Sequence, residues 1–184
     1  MKIKHLSLAA FALLAGTAQA LSFQWSSNIL KFDGANLRNV NSVTGYLVYL
    51  GSGATLESSY SVDSLPSAVG TEVDSKVGTA TTSKVAQTVE FNYGDYVNGD
   101  SFAMVVSYTS GADTYWNISS TVYTLSGITD ERSQLSNATF TFDLTTAEKS
   151  STVAVGGGWT SVPEPATAAL ALLGLGMLVK RRKA

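Results

Sequence analysis

The chain has 184 residues, with no cysteine and a single histidine. Disulfides, thiolate nucleophiles and cysteine-bound zinc are excluded. The histidine, His5, lies in an N-terminal segment that reads as a leader, so the body has no imidazole for a catalytic triad, a metal site or a general base. Of 12 basic and 14 acidic residues, Lys2, Lys4, Lys180, Arg181, Arg182 and Lys183 stand at the ends. Residues 21–162 keep 6 basic and 13 acidic side chains, a formal charge near −7. Such a surface disfavours nucleic acid as a partner and suits solubility outside a cell.

The first element is the leader, residues 1–20. Lys2 and Lys4 precede an apolar run, Leu6–Gly16, and the segment closes on Ala18-Gln19-Ala20. A basic start, a short apolar stretch and an A-x-A ending describe a secretory signal peptide. The run is too short to span a bilayer, which takes about 20 apolar residues. Ala18 and Ala20 are the small residues a signal peptidase accepts, and cleavage is expected after Ala20. An exported chain without cysteine must be held by its core alone.

Residues 21–155 read as one all-β domain. The segment 21–162 holds 23 serines and 18 threonines, and Thr, Val, Tyr and Phe favour half-buried strands. In chain order, Phe23–Phe32 predicts a strand, and Gly45–Leu50 (GYLVYL) a denser, central one. Ser58–Val69 and Val73–Lys84 are polar and rich in small residues, which predicts a short helix or a long loop. In Val85–Tyr93, Val85, Val89, Phe91 and Tyr93 fall on one face. In Ser101–Tyr108, Phe102, Met104, Val106 and Tyr108 do the same. Trp116–Leu125 predicts another strand. In Thr139–Leu144, Phe140, Phe142 and Leu144 alternate with Thr139, Thr141 and Asp143. Turn chemistry separates these runs at Asp33-Gly34, Gly51-Ser52-Gly53, Asn98-Gly99-Asp100 and Ser110–Asp113. Short strands at fairly regular spacing predict an antiparallel β-sandwich, jelly-roll or immunoglobulin-like. Gly156-Gly157-Gly158 opens a segment, 156–162, that reads as a flexible linker.

The last segment, 163–184, has three ordered parts. Pro163-Glu164-Pro165 opens it, an uncharged stretch over 166–179 (ATAALALLGLGMLV) follows, and Lys180-Arg181-Arg182-Lys183 closes it. As a helix, the stretch is about 21 Å long against a hydrocarbon core of roughly 30 Å. Including 162–165 and snorkelling of the basic side chains makes it a short transmembrane helix, with the basic cluster as a cytoplasmic stop-transfer signal. Both prolines sit before or at the first helical turn, where a missing N–H costs little. Glu164 is placed at the outer membrane–water boundary.

This C-terminus resembles the PEP-CTERM sorting signal. The resemblance covers about the last 22 residues, and its specificity lies in three parts agreeing in order at the end of an exported chain. It implies that Pro163, Glu164 and Pro165 are recognised by an exosortase, a membrane enzyme resembling a cysteine transpeptidase. It also implies that the tail is removed near the motif after transient anchoring in the inner membrane, with release or transfer to the cell surface. Proteins with this signal occur in bacteria that make exopolysaccharide, which is thereby a candidate partner. The chain is then a substrate, without catalytic residues, cofactor or metal of its own; the alternative is a structural protein with a simple C-terminal membrane anchor, in which Pro163-Glu164-Pro165 is an incidental linker.

The body offers weaker candidates. Asp95, Asn98 and Asp100 carry oxygens that suit calcium, but their spacing is not that of an EF-hand and their glycines suit a hairpin. Glu57, Asp63, Glu72, Asp74, Glu90 and Asp95 supply carboxylates for glycoside hydrolysis, although no spacing marks a pair. Trp25, Trp116 and Trp159 could stack on sugar rings in a carbohydrate-binding module or fill the core. Asn117-Ile118-Ser119 and Asn137-Ala138-Thr139 match the N-glycosylation pattern.

Overall fold

The structure is a computed structural model that describes residues 20–37, 42–78, 83–145 and 148–161. Down the chain, β1 (Leu21–Ser27), β2 (Lys31–Phe32), β3 (Ala35–Asn36), β4 (Val43–Ser52) and β5 (Ser59–Ser61) precede a single turn of 3₁₀-helix, Val62–Ser64. Next come β6 (Thr71–Val77), β7 (Ala86–Phe91), β8 (Asp100–Ser110), β9 (Asp113–Ile118) and β10 (Tyr123–Thr124). The last four are β11 (Ala138–Phe140), β12 (Glu148–Lys149), β13 (Thr152–Ala154) and β14 (Thr160–Ser161). Among the described residues, no helix is long and apolar enough to cross a membrane. The helix expected over 166–179 lies outside them, as does the leader up to residue 19.

The strands form a three-stranded sheet in the order β11-β1-β7 and a seven-stranded sheet in the order β12-β14-β9-β8-β4-β6, with β10 also on β8. Two short ribbons, β13-β5 and β2-β3, lie outside these two sheets. Most pairs are antiparallel, as expected. β1 with β11 and β12 with β14 are parallel. A long connection permits the first: Trp25 and Ala138 are partners across more than a hundred residues of chain.

β8 organises the domain because both of its faces are buried. Phe102, Met104 and Val106 point toward the three-stranded sheet and pack with Leu21, Phe23, Trp25, Val89, Phe91 and Phe140. Phe23 meets Phe102 edge-on at 5.6 Å between ring centroids. Ala103 and Val105 point the other way, into a second cluster with Val48, Val62, Val69, Ile118 and Val153. The β5–β13 ribbon and the turn after β5 cover that side. Period 2 explains both clusters, since alternate side chains of one strand enter opposite cores.

GYLVYL lies in β4, which runs between β8 and β6 in the interior of the sheet. Gly45 in this strand makes room for its neighbours. A Cβ there would sit 2.7 Å from Met104 Cε and from Val85 Cγ1, and 3.3 Å from Trp25 Cζ3. Trp25 is fully buried, and its Nε1 donates to Asp74 Oδ2 at 2.8 Å.

Several expected elements differ. Phe23–Phe32 is split: β1 ends at Ser27, and the Asn28 side chain bonds the backbone of Phe142 at both its N–H and its C=O. Trp116–Leu125 likewise divides into β9 and β10. The first part of Val73–Lys84, Val73–Val77, is strand and belongs to β6: β6 is the sheet edge beside β4, and Glu72, Asp74 and Lys76 give it the charged character of an edge. Ser58–Val69 holds β5 and the 3₁₀ turn. Tyr93 leaves the buried face because β7 ends at Phe91.

The linker expected over 156–162 is not a free hinge up to Ser161. Gly156 N donates to Ile118 O at 2.9 Å, and Trp159 N donates to Thr145 O at 3.2 Å. Trp159 is only 1% exposed, with Nε1 donating to Lys31 O at 2.8 Å. The glycines serve close approach here, since a Cβ on Gly158 would collide with Thr145.

Two substitutions test this architecture by denaturant unfolding. Trp159→Ala should lower stability by about 3–5 kcal/mol, the range for emptying a core aromatic site. A residue in a loose linker would shift it by less than about 0.5 kcal/mol. Gly45→Ala should cost about 1–3 kcal/mol through overpacking.

Candidate functional site

The C-terminal exit of the domain is built by three consecutive residues. Trp159 is seated first. Its ring packs against Phe32 and Tyr108, each at 6.1 Å between centroids. Thr160 and Ser161 then enter the large sheet as β14. On one side they pair with Trp116 and Tyr115 of β9, and on the other with Glu148 and Lys149 of β12. Ser161 O accepts the Ser150 N–H at 3.1 Å, and Ser161 is 2% exposed. An open cleft of about 480 Å³, walled by Thr145, Ser150, Thr152 and Gly157, runs beside Trp159 and Thr160.

The N-terminal end is equally abrupt. Ala20 is exposed, and β1 begins at the very next residue with Leu21 buried and paired with Phe91. The two ends lie toward opposite ends of β8. Phe23, two residues into β1, packs on Phe102, while Ser161 is two strands across from Tyr108, through Tyr115. Of the predicted sorting residues, Ala20 alone is described. Ala18, Pro163, Glu164, Pro165, Lys180, Arg181, Arg182 and Lys183 lie outside the described residues.

The Asp95, Asn98 and Asp100 oxygens are used to shape loops. Asp95 Oδ2 accepts the Asn92 N–H at 2.8 Å. The Asn98 amide bonds Ile128 through both of its ends, at 2.8 and 2.9 Å. Asp100 accepts Val97 N–H at 2.9 Å and Tyr49 O–H at 3.2 Å. Burial first, and then Asp100, raises the Tyr49 hydroxyl above its ordinary pKa. Tyr96 is raised by burial and by the charges of Asp95 and Asp100. Among the described residues, no group of three or more acidic or histidine side chains is placed to hold a metal.

The tryptophans form no exposed platform. Trp25 and Trp159 are core residues, and half-buried Trp116 leans on Tyr46. Asn117 of the first glycosylation pattern is buried, with its amide donating to Asp143 O; Asn137 of the second is exposed. The carboxylates are dispersed: Glu57 and Asp95 in loops, Asp63 in the 3₁₀ turn, Glu72 and Asp74 on β6, and Glu90 on the outer face of β7.

A polar groove that the sequence did not reveal lies on the outer face of the three-stranded sheet. Gln24 and Thr88 floor about 480 Å³ of space, and Glu131, Arg132 and Gln134 wall it. A second hollow of about 320 Å³ shares Glu131 and Arg132 and reaches Tyr93, which is 55% exposed. The wall is ordered by a turn in which Arg132 N donates to Asp130 Oδ1 at 2.8 Å and Thr129 N to Ser133 Oγ at 2.8 Å.

Residues 161–183 match the family model of the PEP-CTERM protein-sorting motif. The C-terminus thus carries the sorting signal that its three parts resemble, a signal for export and membrane-associated sorting by an exosortase. The match begins at the last residue of β14. No curated protein and no solved structure matches the chain.

Asp143 supports the exit from below. Its Oδ1 accepts the Thr145 N–H at 2.8 Å, and Thr145 O in turn holds the Trp159 N–H. The bonds from Thr145 lower the Asp143 pKa. A carboxyl with a lower pKa in the folded state stabilises the fold above its unfolded value, and that stabilisation is lost as pH falls through the folded value. Melting temperatures measured from about pH 6 to pH 2, across the ordinary aspartate pKa of about 3.9, should therefore fall more steeply for the wild type than for Asp143→Asn.

Proposed function

We propose that the chain is an exported β-sandwich protein of the cell surface or extracellular matrix. In this reading a signal peptidase removes residues 1–20, and the 166–179 helix then holds the chain transiently in the inner membrane. A membrane exosortase recognises Pro163, Glu164 and Pro165 and removes the tail, with the stop-transfer cluster Lys180–Lys183 on the cytoplasmic side. The protein is a substrate of these two enzymes and not itself an enzyme. The observation that carries this reading is the coincidence of boundaries. β1 starts one residue after the A-x-A pattern, and β14 ends at the first residue of the matched motif.

Mass spectrometry of both termini in a host that carries the processing enzyme tests it. The expected mature chain starts at Leu21 and lacks the residues beyond the Pro163–Pro165 region. Glu164→Ala should leave the tail attached and the protein in the membrane fraction, with the fold unchanged. Normal removal of the tail in that variant would overturn recognition by an exosortase.

A second reading, binding of a matrix polysaccharide, is favoured by the groove that ends at Tyr93. A neutral glycan offers hydroxyls to Gln24, Glu131, Arg132 and Gln134 and an apolar ring face to Tyr93. Tyr93→Ala should then reduce retention on a column of the host's exopolysaccharide at least about tenfold, a loss of ~1.4 kcal/mol, without lowering the melting temperature. Equal retention of variant and wild type would remove this reading.

A further inference from the structure

The sorting motif is joined to the domain with almost no free chain. Ser161 is inside β14, and Val162 is the only residue between it and Pro163. At no more than about 3.6 Å per residue, Pro163 is tethered within about 7 Å of Ser161. β14 has a strand on each side, so the backbone just before the motif is already used in sheet hydrogen bonds. Enzymes that cut or transfer at a peptide bond take the chain on either side of that bond in an extended form, commonly as an added strand. The same backbone groups cannot serve two sheets at once.

We propose that β14 is a latched segment of the sorting signal: it must leave its place between β9 and β12 before the membrane enzyme can act at the motif. This rests on the exosortase reading above. The latch has a defined length. Thr160 and Ser161 are small and polar, and the cleft lined by Ser150 and Thr152 lies open beside Thr160. Trp159 is the stop, because its ring is seated on Phe32 and Tyr108 and its indole N–H is bonded to Lys31 O. Release up to that point frees Thr160 and Ser161, about 7 Å of extended chain, without opening the core.

The experiment compares three full-length chains by pulse-chase in a host that carries the processing enzyme. One is wild type, one has an eight-residue Gly/Ser spacer that ends in Ser inserted between Ser161 and Val162, so that the Ser-Val-Pro-Glu-Pro run at the start of the matched motif is kept, and one carries Glu164→Ala. The spacer supplies free chain without disturbing any described contact, so tail removal should become about tenfold faster, equivalent to ~1.4 kcal/mol less barrier. Unchanged or slower removal in the spacer variant, with Glu164→Ala still blocked, would overturn the latch and leave the exosortase reading standing. Normal removal in Glu164→Ala would overturn the exosortase reading and the latch with it. Hydrogen exchange reads the same event on the domain. The Ser150 amide, bonded to Ser161 O, should exchange much faster than that of Val105 in β8. Equal protection at the two positions would also count against the latch.

Discussion

With no cysteine to staple it, the domain depends on burying both faces of the β4–β8 pair. Phe102, Met104 and Val106 face the three-stranded sheet, while Ala103, Val105 and Val48 face the smaller cluster capped by Val62 and Val153. Every other element covers one of these faces or extends the sheet at its edges. The contact of Gly45 with Trp25, Val85 and Met104 sets how closely the upper layer can approach. An exported protein of this size has only its apolar burial to offset chain entropy. Filling both sides of one central strand pair extracts that burial from a chain in which serine and threonine are abundant.

The same economy reaches the ends. The first strand opens on a core residue, Leu21, and the last described one closes on a paired residue, Ser161. Leu21 becomes the amino terminus after the expected cleavage, and its side chain lies in the main cluster. Trp159 performs the corresponding task at the other end. The described strands therefore begin at the residue after the A-x-A pattern and reach the first residue of the matched motif.

Much of this was legible in the sequence, for identifiable reasons. The alternation in Ser101–Tyr108 gave one buried face correctly, because a strand in a sheet core imposes period 2 on its residues. The three-part C-terminus was legible because a tripeptide, an apolar run and a basic cluster are local features of the sequence. β6 was not legible, since an edge strand buries little and its residues carry no period. The glycines at 156–158 were misread because composition alone cannot tell a loose tether from a tight approach. The difference lies in Trp159, whose partners Phe32, Tyr108 and Thr145 are distant in the chain. The groove to Tyr93 was hidden for the same reason, since its floor and wall come from Gln24, Thr88 and Arg132.

The energetic contrast between β14 and Trp159 gives the C-terminal exit its character. A backbone hydrogen bond of a short strand contributes a net ~0.5–1.5 kcal/mol, and terminal segments open locally at a small fraction of the global free energy. A core aromatic side chain is held by about 3–5 kcal/mol. Opening from the C-terminus therefore runs easily through Ser161 and Thr160 and stops at Trp159. In the latch proposed above, the membrane enzyme acts once this two-residue strand has left the sheet, and the core seated by Trp159 stays intact throughout. In that proposal, the stability of the domain rests on Trp159 and the β4–β8 faces, and access to the signal on two small polar residues.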